Sequence, residues 1–186
     1  GMVLRPEPAV AALKQARENC AGKKTRTLLF SPQGVPLTQA RLREFSAEWD
    51  SFVLFCAHYK GLDERVAAKY VDEEVSLGDY ILTGGELPAM VFIDAVVRLK
   101  EGVVGNFQSV VNDSFSGTLL EQPLYTRPEV FEGAAVPEVL LSGNHRDIVT
   151  WNLRESLRRT VERRPDLIDR QKLTEKEIKV LNTIKG

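Results

Sequence analysis

Short apolar runs that lack polar alternation, end in Gly- or Pro-containing turns and are separated by helical stretches constrain this chain most. Thr25–Phe30 reads Thr-Arg-Thr-Leu-Leu-Phe and passes into the turn Ser31-Pro32-Gln33-Gly34. Ser51–Cys56 reads Ser-Phe-Val-Leu-Phe-Cys. A strand covered on both faces has no reason to alternate apolar with polar residues, so these runs fit a parallel sheet between helical layers. Residues 71–77 supply a third strand. Helices are expected over 7–19, with Val10, Leu13 and Ala16 buried, and over 37–47, with Leu42 and Phe45 inward. Another is expected over 62–70, where Asp63 and Glu64 favour the positive end of the helix dipole. Residues 86–100 give the strongest helical signal, with Leu87, Met90, Ile93, Ala95 and Val97 expected on its inner side. Strands alternating with helices argue an α/β fold with a parallel sheet. From Gly102 to Asn112 periodicity is lost, as in a linker, and a mostly helical part follows.

The 186 residues suffice for one domain or one domain with a small appendage. A net charge of −1 gives no global attraction to nucleic acid, so any such site must be a local basic patch. Cys20 and Cys56 form no C-x-x-C pair, and with two His in the chain a His-rich metal site is not expected. Cys56 reads as a small core residue. No apolar run approaches the roughly 18–20 residues of a membrane helix and no secretory leader opens the chain. A cytoplasmic protein without membrane contact is expected.

Three Gly-containing turn clusters follow strand-like segments: Ser31-Pro32-Gln33-Gly34, Tyr59-Lys60-Gly61, and Leu82-Thr83-Gly84-Gly85-Glu86-Leu87-Pro88. Ligands of open α/β sheets bind beyond the carboxyl ends of the strands, and glycine lets a backbone approach them closely. The clusters are therefore either ordinary tight turns or the walls of one pocket. Neither G-x-G-x-x-G nor a P-loop string is present, which disfavours a conventional dinucleotide or P-loop site. The carboxylates of Asp63-Glu64 and Asp72-Glu73-Glu74 fit solvated helix ends or ion pairs better than acid–base groups. Asp113, at the end of the linker, is either a helix-capping carboxylate or a functional one. Arg154, Arg158, Arg159, Arg163 and Arg164 form the strongest basic cluster, which suits either phosphates or a face paired with Glu155, Glu162 and Asp166. His145 stands by itself and reads as a structural hydrogen-bonding residue.

Taken together these strings resemble a known family. They are Ser31-Pro32-Gln33-Gly34, Tyr59-x-Gly61-x-Asp63-Glu64-Arg65 and Gly78-Asp79-Tyr80-Ile81-Leu82-Thr83-Gly84-Gly85-Glu86-Leu87-Pro88-Ala89-Met90. Asp113-Ser114-Phe115, Tyr125-Thr126-Arg127-Pro128-Glu129, Leu140-Leu141-Ser142-Gly143-Asn144-His145 and Arg163-Arg164-Pro165-Asp166-Leu167 follow in order. The chain looks like a bacterial tRNA (guanine-N1)-methyltransferase of the trefoil-knotted SPOUT class. The resemblance implies an enzyme that uses S-adenosylmethionine to methylate N1 of the guanosine immediately 3′ of the anticodon. It also implies Mg²⁺ dependence and a homodimer with its active site at the subunit interface. The implied architecture is a knotted α/β cofactor-binding domain over residues 1–104, whose first strand would precede Gly1. A linker over 105–112 and a helical tRNA-binding domain over 113–186 complete it. By matching position, Leu29, Phe30, Ser31, Pro32, Tyr59, Gly61, Leu77, Gly78, Tyr80, Leu82, Gly84, Gly85 and Pro88 are the implied cofactor contacts. Arg98 and Asp113 are the implied catalytic pair. The basic helix, with Arg154, Arg158, Arg159 and Arg163, is then expected to grip the anticodon stem.

The chain departs from the family pattern at Ala57-His58-Tyr59-Lys60-Gly61, where Gly-Arg-Tyr-Glu-Gly is usual. Leu124 replaces a common His and Asn112 a common Glu. Lys60 puts a positive charge near a cofactor whose sulfonium is also positive, unless it turns to solvent. A non-catalytic relative that dimerises and binds RNA or cofactor is the alternative these changes leave open.

Overall fold

In the computed structural model, residues 2–103, 105, 113–115 and 117–184 are described. Two compact units divide the chain, residues 1–105 and 106–186. Of the expected linker 105–112, Gly105 is described and the rest lies outside the described residues.

The first unit runs α1 (Pro6–Glu18), β1 (Thr25–Pro36), α2 (Gln39–Glu48), β2 (Ser51–Phe55), α3 (Glu64–Tyr70), β3 (Glu73–Ser76) and α4 (Glu86–Val97). Its sheet has the order β2-β1-β3 with both pairings parallel. β1 is longer than the apolar run that announces it. Its pairing with β3 is interrupted, so that Phe30 and Val35 both lie opposite Val75. The Ser31–Gly34 segment therefore lies within the strand as an irregularity, where the sequence reads as a terminating turn.

Residue parity along β2 explains the two-sided burial. Phe52 and Leu54 join a cluster with Leu28, Leu42, Phe45, Phe92 and Val96, beneath α2 and α4. Val53 and Phe55 join a second cluster with Ala9, Leu13 and Val66, beneath α1 and α3. Successive strand residues point to opposite faces, so apolar residues in a row mean that both faces are covered. Phe92 is 1% exposed and packs edge-on against Phe45 and Phe52, with centroids 5.4 and 5.1 Å away. Edge-to-face geometry of this kind suits the aromatic quadrupole.

α4 corrects the expected helix face. The buried residues are Pro88, Ala89, Phe92 and Val96. Leu87, Met90, Ile93 and Val97, expected inside, face outward together with Val91; Leu87 is 57% and Met90 64% exposed. Ala95, also expected inside, is half-buried against the first cluster. The helix is apolar nearly all round, so periodicity does not choose a face, and the aromatic cluster around Phe92 does.

Charges beside the sheet are paired. Glu73 is bound by Arg26 (2.8 Å) and by Arg41. Asp72 accepts from the Thr27 N–H (2.7 Å) and from Arg17. A carboxylate brought under a protein surface is tolerated when its oxygens are satisfied in this way. The acidic run 72–74 thus fastens β3 to β1 and α2, as ion pairs do.

The second unit holds a hairpin of β4 (Val130–Phe131) and β5 (Ala134–Ala135), then α5 (Glu138–Leu141), α6 (His145–Arg163), a 3₁₀ turn (Pro165–Leu167) and α7 (Glu175–Ile184). Glu132 and Gly133 both have positive φ, as the tight hairpin between β4 and β5 requires. Leu157, Leu173 and Leu181 form the core, with Leu119 and Leu153 packed against it. The Leu120 N–H donates to Thr160 Oγ1 (2.9 Å), and the Ser156 hydroxyl donates to the Leu120 carbonyl. These bonds hold residues 119–121 to the inner face of α6. Among the described residues no helix is long and apolar enough to cross a membrane.

Candidate active site

A cleft of about 570 Å³ lies at the carboxyl ends of β1, β2 and β3. Its position follows from topology, because parallel strands end together and their following turns converge. Leu29, Phe30, Ser31 and Pro32 enter from β1, Tyr59 and Gly61 from the turn after β2, Leu77, Gly78, Tyr80, Leu82, Gly84 and Gly85 from the segment between β3 and α4, and Pro88 from the first turn of α4. Every residue singled out in sequence as a cofactor contact therefore lines this cleft. Gln33, Ala57, His58, Lys60, Leu62, Glu64, Ala67, Glu74, Val75, Ser76, Ile81 and Thr83 complete it.

The glycines are placed where side chains have no room. A Cβ on Gly85 would stand 2.6 Å from Cys56 Cα, and one on Gly34 would stand 2.5 Å from the backbone of Glu74. Real Cβ atoms do not approach backbone so closely, so the two turns are packed directly on neighbouring strands. Gly78 has φ +147 and Tyr59 φ +62, the latter costly for a bulky residue and held by its surroundings. Ser76 Oγ accepts from the Gly78 N–H (3.1 Å), and the Gly85 N–H donates to the Ala57 carbonyl (3.1 Å). The first bond shapes the turn after β3, and the second joins the start of α4 to the turn after β2.

The charge around the cleft is mixed. Lys60 is exposed at the rim, beside His58, while Glu64 and Glu74 bring carboxylates. Glu86, the first residue of α4, is held below the usual carboxylate range by its own backbone N–H and by the imidazole of His58. Burial and the nearby Glu86 charge push the Cys56 thiol up, away from the reactive thiolate. Asp63 caps α3: Arg65 donates to it from side chain and backbone and lowers its carboxyl to about 2. Its role is that of a cap, as its sequence position suggested.

The remaining candidates lie elsewhere. Arg98 caps the carboxyl end of α4, its N–H donating to the Asp94 carbonyl (3.2 Å). Asp113 is half-buried in the second unit, near the start of its described residues. On α6, Arg158 is engaged by Glu155 (2.6 Å) and Glu162 (2.9 Å), both of which raise its pKa further. Among the described residues no carboxylate pairs with Arg154, Arg159 or Arg163. Arg164 binds Asp166 (2.6 Å). His145 is exposed at the start of α6, where Asn144 provides the cap. His58 and Glu86 were not singled out as a pair in sequence. The signal available was a carboxylate opening a helix directly after Gly84-Gly85.

Comparison with known proteins agrees with this geometry. The family model described as tRNA (Guanine-1)-methyltransferase TrmD matches residues 1–170. A tRNA (guanine-N(1)-)-methyltransferase of Brevibacillus brevis is 54% identical over 182 residues, covering 97% of this chain and 73% of that protein. The enzyme of the same name from Dechloromonas aromatica is 49% identical over 189 residues, covering 100% of this chain and 74% of the relative. That of Staphylococcus haemolyticus is 50% identical over 185 residues, with the same coverages. With most of its length matched by the family model and half its residues shared with such relatives, the chain belongs to the tRNA (guanine-1)-methyltransferase family.

Proposed function

We propose that this protein transfers the methyl group of S-adenosylmethionine to N1 of the guanosine immediately 3′ of the anticodon in tRNA, in the cytoplasm. One observation carries the cofactor assignment: strings separated by tens of residues, each matching a family cofactor contact, converge on the cleft at the strand ends. The residues fit such a ligand. Apolar Leu29, Phe30, Leu77 and Pro88 suit a flat base, backbone at Gly84 and Gly85 admits close approach, and the carboxylates of Glu64 and Glu74 suit a cationic ligand. When bound, the cofactor supplies an electrophilic methyl on sulfur.

The rest falls to the chain. Guanine N1 is a poor nucleophile while it carries its proton. Asp113 is the group that accepts that proton, a contribution of roughly 10²–10⁴-fold for a positioned base. Arg98 offsets the negative charge that develops on guanine O6. Both roles rest on the match of these positions to the family's catalytic pair. The same match implies a deep trefoil knot in the sheet unit. It also implies a homodimer that completes the active site, supported by the apolar outer face of α4. The second unit is the tRNA-binding part, with Arg154, Arg159 and Arg163 available for phosphates and Arg158 exchanging its carboxylates for them. Mg²⁺ is expected from the family. Among the described residues no three His, Cys, Asp or Glu gather as ligands, and no step here runs through it.

The test is transfer of labelled methyl from S-adenosylmethionine to two tRNA transcripts, one with guanosine and one with adenosine 3′ of the anticodon. Label in the guanosine transcript alone is expected. Label in both, or at another position, would contradict the substrate assignment.

A further inference from the structure

The turn after β2 and the start of α4 meet at the rim of the cleft. His58 and Gly84 form an isolated antiparallel bridge, and the Gly85 N–H donates to the Ala57 carbonyl at 3.1 Å. Over this backbone junction the His58 imidazole donates from Nε2 to Glu86 Oε1 at 2.5 Å. Gly84 lies beneath the pair; a Cβ there would stand 2.9 Å from His58 Cε1. The adjoining Tyr59 holds a positive φ of 62°, with its ring 6.2 Å from that of His58. On its far side the turn is held through backbone, by Lys60 N–H to the Met2 carbonyl and Leu4 N–H to the Gly61 carbonyl. A strained turn that carries two implied cofactor contacts, Tyr59 and Gly61, thus has a side-chain tie to the loop that carries Gly84 and Gly85.

We propose that His58 is a positioning residue for cofactor binding, whose bond to Glu86 latches the 57–61 turn to the start of α4 and holds the cleft in its receptive shape. This rests on the assignment of the cleft to S-adenosylmethionine. His58 stands where Arg is usual in the family. Arg also carries N–H donors for a carboxylate, so a donor to Glu86 stands at this position with either residue. Glu86 is kept ionised by its backbone N–H and by His58, which keeps the acceptor half of the latch in place. The charge at Lys60 lies on the same turn, so the latch also fixes where that charge stands relative to the cleft.

The experiment uses the whole chain without and with S-adenosylmethionine, comparing unaltered protein, His58→Ala and His58→Arg. Amide hydrogen exchange is read first on cofactor-free protein. His58→Ala is expected to speed exchange of the Gly85 amide severalfold, and His58→Arg to restore protection. Calorimetric titration with S-adenosylmethionine is then expected to show about fivefold weaker binding for His58→Ala, the scale of one exposed charged contact. Turnover at saturating cofactor should stay within twofold, which a general loss of structure would not allow. Unchanged exchange at Gly85 overturns the latch, whether or not cofactor binds. Faster exchange with unchanged affinity overturns its role in cofactor binding. No uptake of cofactor by the unaltered protein overturns the reading of the cleft, and with it the positioning role.

Discussion

At the scale of single residues, the candidate site is defined more by what cannot be enlarged than by what reacts. Gly34 and Gly85 stand against backbone, and any side chain there must push a strand aside. Among the residues assigned to chemistry, Asp113 has the most exacting task. Its replacement is expected to remove the proton acceptor while leaving the cofactor cleft, built from residues 29–88, as it is. Asp113→Ala should therefore lower single-turnover methyl transfer by about 10²-fold or more with little change in S-adenosylmethionine affinity. A quench-flow assay beside a binding titration reads both quantities, and unaltered transfer would remove Asp113 as the base. Asp63 illustrates the opposite case. Its depressed pKa of about 2 comes from Arg65 and capping. The stabilising contribution is present above the ordinary carboxylate range and is lost as pH falls toward 2.

At the scale of elements, most of the first unit was legible in sequence. The runs at 25–30 and 51–56 lie on the central strand and its neighbour, and lack of alternation there reflects burial on two faces. The α4 face was not legible, because a helix apolar on every side carries no directional signal. Phe92 is the residue that periodicity passed over. It sits at the centre of the aromatic cluster, so Phe92→Ala should destabilise the protein by about 3–5 kcal/mol. Urea denaturation with an unchanged m-value would read this directly. The β4–β5 hairpin also escaped notice, since two strands of two exposed residues each leave no alternation to detect. The positions proposed for the cofactor could be picked out only through the family strings; as isolated turns they read like ordinary ones. Pairing of Arg158 with Glu155 and Glu162 was foreseeable from the i,i+3 and i,i+4 spacing.

At the scale of the whole molecule, the outer face of α4 is where the proposed homodimer would meet. Leu87, Met90, Val91, Ile93 and Val97 leave an apolar stripe uncovered, and such stripes in water mark association surfaces. Met90→Asp with Ile93→Asp should shift the light-scattering mass from dimer to monomer and abolish methyl transfer. A dimer that persists would place the interface elsewhere. The near-neutral net charge means that tRNA binding depends on local cations. Arg154→Ala with Arg159→Ala should weaken tRNA binding and reduce the slope of log K against log salt by up to about 2. An unaltered slope would exclude α6 from the phosphate contacts.

Calorimetric titration of the whole chain with S-adenosylmethionine, with Gly85→Ala as the comparison, tests most directly whether the cleft at the strand ends receives that ligand. Saturable binding by the unaltered protein and at least tenfold weaker binding by the variant are expected, on the scale of the strain of a displaced backbone. Binding that is absent in the unaltered protein, or equal in a folded Gly85→Ala, would contradict that assignment.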